Sequence, residues 1–308
     1  MPEPVRKDTM KGVLACLVAA IAFGLMFPVM ASALKHVDPF TFTSLRYLTA
    51  AVTSLAMLLM KEGPQALRLR DESIGRAWFL GSLGFAGFGF LVFLGQQLAG
   101  RDGALMTAIM AATQPLLGVM ILAVANRTLP SLATFGFIVL SLCGVIVVVT
   151  RGDIAGFLDA PQSYVANLLI LLGMTSWMIY TFGAARFTTW SPLRYTTLTM
   201  CLGLTTVIAI NAALFATHAI PVPRAADLIF IVPHVLYMGL IAGVVGVLCW
   251  NIGNKMLAPL NAVLFLNMVP LVAFIVSALL GVLPTSIQII GACITVAALI
   301  GNNLYHRV

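Results

Sequence analysis

Ten long apolar stretches, separated by short polar breaks, constrain this chain more than any other feature of its 308 residues. They run 12–34, 40–60, 76–99, 103–125, 131–150, 163–185, 193–215, 229–252, 257–281 and 286–304. A helix needs roughly 20 apolar residues to cross a hydrocarbon core, and each stretch is about that long. A membrane β-barrel would instead show strands of about 10 residues with alternating polarity, whereas these runs are apolar on every face. The expected fold is therefore an all-α integral membrane protein with ten transmembrane helices. The longest breaks, Lys61 to Arg76, Arg151 to Ser163 and His218 to Leu228, are too short to bury a soluble core. Charged residues make up only 9% of the chain, against about a quarter in soluble domains.

The net charge of +7 would suggest a nucleic-acid partner in a soluble protein, but its placement speaks for topology instead. Counted in alternate loops, one face receives Arg6, Lys7, Lys11, Lys61, Arg68, Arg70, Arg76, Arg127, Arg186, Arg194, Lys255 and Arg307. The other receives Lys35, Arg101, Arg151 and Arg224. The positive-inside rule then puts both termini in the cytoplasm, N-in and C-in, as an even number of spans requires. Membrane lipids are expected partners and nucleic acid is not. Cys16, Cys143, Cys201, Cys249 and Cys293 all fall in apolar stretches without metal or redox spacing, and are expected to be small core residues. Ala31-Ser32-Ala33 after a basic start imitates a signal-peptidase site, but the preceding apolar stretch is too long for a signal region.

Sliding the chain against itself by 155 residues superimposes Phe27 on Phe182, Gly84 on Gly239, Gln96 on Asn251, Pro115 on Pro270 and Gly136 on Gly291. A shift of 153 matches Pro39 to Pro192 and Thr43 to Thr196. The expected organisation is a cytoplasmic segment 1–11, a five-helix repeat 12–150, a connecting loop 151–162, a second five-helix repeat 163–304 and a cytoplasmic tail 305–308. Five is odd, so the second repeat starts on the opposite face and the halves are inverted. Inverted repeats are characteristic of transporters, because exchanging the conformations of the halves turns an outward-open cavity into an inward-open one.

The ten acidic residues, Glu3, Asp8, Asp38, Glu62, Asp71, Glu72, Asp102, Asp153, Asp159 and Asp227, all fall in termini or loops. Intramembrane carboxylates are the usual proton relays and cation sites, so a uniporter of neutral cargo is expected rather than a proton-coupled carrier. Asp102 opens the fourth span, where a helix-dipole partner is the simplest role. The one basic residue well inside a span is Arg46. It serves either as an anion site or, the reading favoured by its isolation, as an interhelical hydrogen-bond donor or a side chain snorkelling to the surface. Phosphorylated cargo would want several interior cations.

Polar and aromatic side chains remain as candidates. On the sixth span Gly173, Trp177, Tyr180 and Ala184 follow helical spacing along one stripe, which suits either a cavity wall or plain packing. On the fourth, Thr107, Met110 or Ala111, and Gln114 share a face, with Pro115 freeing a carbonyl one turn earlier. The ninth repeats the pattern with Val263, Asn267, Pro270 and Phe274. Proline-broken helices beside polar groups are where transporters expose backbone to cargo, although a kink with an amide that glues two helices gives the same string. Gly24 and Pro28 bracket a hinge in the first span, and Gln96 and Asn251 occupy equivalent rim or gate positions. Ala104, Ala108 and Ala112, like Gly239 and Gly243, have the small-xxx-small spacing of close helix packing. His36, His218, His234 and His306 lack metal spacing, and no phosphate loop or cofactor motif is present. A lipid-modifying enzyme would show charged or His clusters at the interface, which disfavours that class.

Two five-span halves, opening with Ala22-Phe23-Gly24 and Ser176-Trp177, with Pro39 and Pro192 before each second helix and Arg46 inside the first of these, resemble the drug/metabolite transporter superfamily, EamA type, over nearly the whole chain. The uncharged aromatic interior is similar to that of the YddG-type exporters of aromatic and other neutral amino acids. The expected protein is a non-enzyme of the bacterial inner membrane, a monomer working by alternating access, and the resemblance implies a central cavity lined by helices one, three, four, six, eight and nine. Carried over by position, it nominates Phe23, Phe27, Phe88, Met110, Thr113, Trp177, Tyr180, Tyr237, Gly243 and Asn267. The small multidrug branch relies on a first-helix glutamate that this chain lacks. Export of amphipathic drugs or lipid-linked metabolites is the alternative use of the same fold.

Overall fold

The computed structural model of the protein describes residues 3–69, 74–100, 103–127, 131–150, 152–153, 161–257, 259–279, 281 and 285–305. Every regular element among them is helical. In chain order these are α1 (Glu3–Ala33), α2 (Pro39–Glu62), α3 (Ile74–Leu98), α4 (Gly103–Ala111), α5 (Gln114–Asn126), α6 (Leu132–Thr150), α7 (Pro161–Gly183), α8 (Pro192–Ala216), α9 (Ala225–Leu257), α10 (Pro259–Val263), α11 (Met268–Leu279) and α12 (Ser286–Tyr305). Asp102 and residues 154–160 of the expected connecting loop lie outside the described residues, as do the side chains of Asn267 and Phe274.

Among the described residues six helices are long and apolar enough to cross a membrane, or seven if the pair α4 and α5, bent by 46° at Ala112–Thr113, is one broken span. That measure, taken over the described residues, does not reach the expected ten, and two of the remaining spans are broken by proline. Pro115 and Pro270 cannot donate a helical hydrogen bond, and the chain breaks just before each. The first break is the turn at Ala112–Thr113 and the second the 3₁₀ turn Leu264–Asn267. Phe135–Gly144 within α6, Asn261–Ala273, and Ser286–Ala298 within α12 are the shorter apolar stretches among the described residues.

Two π-helical stretches interrupt α3 at Ser82–Gly87 and α9 at Tyr237–Gly246, starting 155 residues apart. That offset is the same one that aligns the prolines and the two helix breaks. The packing also survives exchange of the halves. α3 lies against α7 as α9 lies against α1, while α2 pairs with α8 and α6 with α12. Loops that alternate-loop counting assigns to one face do meet. Arg194 Nε donates to the Ala66 carbonyl at 2.9 Å and Ser191 Oγ to Glu62 Oε1 at 2.5 Å, while His36 Nδ1 stands 3.1 Å from Asp227 Oδ1 on the other face.

Small residues let the rods approach. Gly81 of α3 abuts the Thr199 carbonyl of α8, and Gly203 of α8 abuts the Gly81 carbonyl. Trp78 to Thr205 (3.2 Å) and Ser82 to Thr206 (2.7 Å) add hydrogen bonds at this crossing. Interhelical polar contacts of this kind average about 0.6 kcal/mol in a membrane. Leu132, Phe135, Val139 and Ile146 of α6, and Ile287, Ile290 and Ile300 of α12, face outward, as lipid-facing side chains should. Cys143 and Cys293 share that exposure, which corrects the expectation of core cysteines, whereas Cys16 is buried.

The start of α2 is fixed by Asp38, whose carboxylate accepts from the Phe40 and Thr41 amides at 2.9 Å each. Pro39 at the first helical position needs no such partner. Asp38→Ala is expected to cost about 1 kcal/mol, seen as a small fall in the unfolding midpoint in detergent with transport retained.

Candidate functional site

The helices converge on a central cavity whose walls come from both halves. Its aromatic side is Phe23 and Phe27 of α1, Phe88 of α3 and Trp177 of α7. Trp177 meets Phe23 edge-on at 5.7 Å between centroids, tilts over Phe88 at 5.4 Å and over Tyr180 at 5.2 Å. Offset and edge-on ring pairs of this kind contribute about 1 kcal/mol each beyond their burial. The rest of the apolar lining is Met26 of α1, Ala242 and Val247 of α9, and Leu266 and Val269.

The polar part is small. Ala111 and Leu266 line the cavity, and these residues stand four before Pro115 and Pro270, so neither carbonyl receives the usual helical N–H from that position. Gln114 follows the first break and donates to Met174 Sδ at 2.6 Å. Arg46 of α2 is the only charged side chain in the lining among the described residues and is 2% exposed. Nη2 donates to the Tyr47 hydroxyl at 2.7 Å and Nη1 reaches Met26 Sδ at 3.6 Å, while Nε has no partner among the described residues. The guanidinium lies 4.2 Å from the Tyr47 ring centroid and 5.0 Å from that of Phe93. Desolvated cation–π contacts return about 2 kcal/mol, less than the several kcal/mol that burying an unpaired ion costs. Arg46 therefore does not snorkel, and its single cross-helix bond is to a weak sulfur acceptor.

In this conformation the centre is nearly closed, with about 20 Å³ of free space, room for a water or so. A larger cavity of about 570 Å³ opens at one end, a size that suits a small molecule. Tyr195, Asn251, Asn254 and Lys255 line it together with Trp190 and the loop 184–192. Arg186, Arg194 and Lys255 belong to the face that charge counting assigns to the cytoplasm, so this vestibule opens inward by that assignment.

A buried polar lock separates the two spaces. Asn251 Nδ2 donates to the Tyr180 hydroxyl at 2.9 Å and to Thr196 Oγ1 at 2.8 Å, and the Tyr195 hydroxyl donates to the Tyr180 carbonyl at 2.8 Å. On the far side Gln96 Nε2 donates to the Phe27 carbonyl at 2.8 Å. The two amides, 155 residues apart, thus each tie down an element that carries or adjoins a wall ring.

Of the side chains expected at the site, Phe23, Phe27, Phe88, Gln114 and Trp177 meet round the central cavity. Others are used elsewhere. Thr107 Oγ1 bonds the Gly103 carbonyl at 2.6 Å and Thr113 Oγ1 the Met110 carbonyl at 2.7 Å. Tyr180 stands in the lock, the Tyr237 hydroxyl donates to the Ala22 carbonyl at 2.9 Å, and Gly243 packs against Ala50. Gly24 is pressed against Val269 and Val272, and Pro28 sits inside α1 without ending it. Met26, Tyr47, Ala242, Val247, Leu266 and Val269 were not anticipated from the sequence, and α2 joins the six helices that the resemblance nominates.

Comparison with known proteins agrees with this architecture. The model of the EamA-like transporter family matches twice, over residues 10–150 and 165–304. The uncharacterized transporter YrdR of Bacillus subtilis (strain 168) is 33% identical over 298 residues, covering 96% of this chain and 92% of that protein. A second, the uncharacterized transporter YyaM of the same organism, is 28% identical over 279 residues, with 90% and 88% covered. A crystal structure superposes with a TM-score of 0.64 over 98% of both chains at 22% identity, a likeness of fold.

Proposed function

The chain belongs to the EamA-like transporter family, and from that premise we propose that it exports small neutral metabolites, chiefly aromatic and other apolar amino acids. It does so as a monomeric uniporter of the bacterial inner membrane. In this reading the two matched segments are inverted five-helix halves, each broken span counts as one helix of ten, and both termini are cytoplasmic. The halves exchange conformations to move the central cavity from the inner vestibule to the outer face.

The observation that carries the reading is the cage of Phe23, Phe88 and Trp177 in one cavity with Ala111 and Leu266, the residues four before the two prolines. Rings receive an apolar side chain, and breaks supply acceptors for an ammonium group. All the acidic residues of the sequence fall outside the apolar stretches, which favours uniport over a proton relay.

Counterflow in proteoliposomes tests it. Vesicles loaded with unlabelled phenylalanine, tryptophan or methionine are expected to accumulate the labelled amino acid transiently, and protein-free vesicles are not. Failure of all twenty amino acids to exchange, with amphipathic drugs exchanging instead, would transfer the site to the drug-carrier reading.

A further inference from the structure

We infer that Arg46 is the carboxylate anchor of the central cavity, so that the cargo is a small monocarboxylate with an aromatic or apolar tail. The amino-acid reading above is one case of this class, and the inference rests on it for the location of the site.

Three observations lead there. The guanidinium lines the cavity and is buried, yet its partners are a phenol hydroxyl, a thioether sulfur and two ring faces, none of them anionic. Its Nε is left without a partner among the described residues. A planar fork with an unused donor is matched in geometry and charge by a carboxylate, which takes two parallel N–H bonds. Tyr47 accepts the Arg46 bond with its oxygen, which leaves the phenol proton for a second carboxylate oxygen.

The path to the site carries the same sign. Lys255 lines the vestibule, where its ammonium donates to the Trp190 carbonyl at 2.8 Å, and neither cavity has a carboxylate in its lining among the described residues. A cationic cargo would meet fixed positive charge at both stations. With one cation at the centre, a single carboxylate is neutralised and a phosphate monoester is not. The tail then lies against Phe23, Phe88 and Trp177. An ammonium group is tolerated by the carbonyls of the helix breaks but is not the recognised feature.

The test uses the full chain in nanodiscs and four probes that share a phenyl tail, with binding read from quenching of tryptophan fluorescence, to which Trp177 in the cavity wall contributes. Phenylalanine and 3-phenylpropionate are expected to bind, with phenylalaninamide and phenethylamine weaker by about tenfold or more, the size of a lost charge-assisted pair. Arg46→Gln is expected to abolish this preference and Arg46→Lys to keep part of it, since an ammonium retains the charge without the fork. If Arg46→Gln does not fold, the four probes on the unaltered protein decide alone. Phenylalaninamide binding as tightly as phenylalanine would overturn the inference and leave the amino-acid reading standing. Binding of 3-phenylpropionate with no amino acid bound or exchanged upholds the inference and removes that reading. Binding confined to phenethylamine overturns both.

Discussion

Replacing Gly203 by valine is expected to destabilise the fold severely, lowering the unfolding midpoint in detergent by about 10 °C. The midpoint scales at roughly 2–4 °C per kcal/mol for a chain of this order of size. A Cβ at this position would collide with the Gly81 carbonyl. The obstacle is backbone, so no rotamer change relieves it, and α3 and α8 must part. Overpacking costs about 1–3 kcal/mol even where side chains can shift. Separation here also lengthens the Trp78–Thr205 and Ser82–Thr206 hydrogen bonds. Gly81→Val should behave alike, because its Cβ meets the Thr199 carbonyl. Gly136 provides the contrast, with nothing within 4 Å of an added Cβ. Gly136→Ala is expected to stabilise by up to about 1 kcal/mol through helix propensity. A Gly203→Val protein as heat-resistant as the unaltered one would mean that the crossing is not this tight.

Trp177→Ala is expected to reduce exchange of aromatic cargo by about tenfold or more, the equivalent of about 1.4 kcal/mol, with a smaller loss for methionine. The indole touches Phe23, Phe88 and Tyr180 at once, so its removal enlarges the cavity and loosens the cage together. Trp177→Phe retains a ring face and should recover most of the rate. Initial counterflow rates across a concentration series separate the effects, since a lost binding wall raises KM whereas a damaged lock lowers the maximal rate. Equal rates for Trp177→Ala and the unaltered protein on every substrate would remove this ring from the site.

The repeat and its two proline breaks were legible because they depend on composition and on residues that cannot donate a hydrogen bond. Gln114 was legible from the stripe beside the first break and Trp177 from the stripe on its own span, whereas Phe23, Phe27 and Phe88 came only by position from the family resemblance. The missed positions share a different cause. A π-helical stretch winds more slowly than 3.6 residues per turn, so a face followed through Tyr237–Gly246 at ordinary spacing drifts off target. The cavity receives Ala242 and Val247, five residues apart, and not Tyr237 or Gly243. The 46° bend at Ala112–Thr113 acts similarly, turning Ala111 and Gln114 inward while Met110 and Thr113 engage each other. Arg46 was located, but its environment was not. Its side chain folds back over the ring of its own neighbour, and nothing in residue order encodes that rotamer.

The cross-half pairing constrains how such a chain comes into being. α3 finds its neighbour in α7, α1 in α9 and α6 in α12, so residues emerging first from the ribosome have few permanent partners until the later ones arrive. α1 waits longest to be matched, since it is made first and its partner α9 begins only at Ala225. Insertion into the bilayer and assembly within it are therefore separate events in time. The unpaired small-residue faces of the first half must be shielded by lipid or by an insertion factor during synthesis. The contacts that complete each half lie on the other.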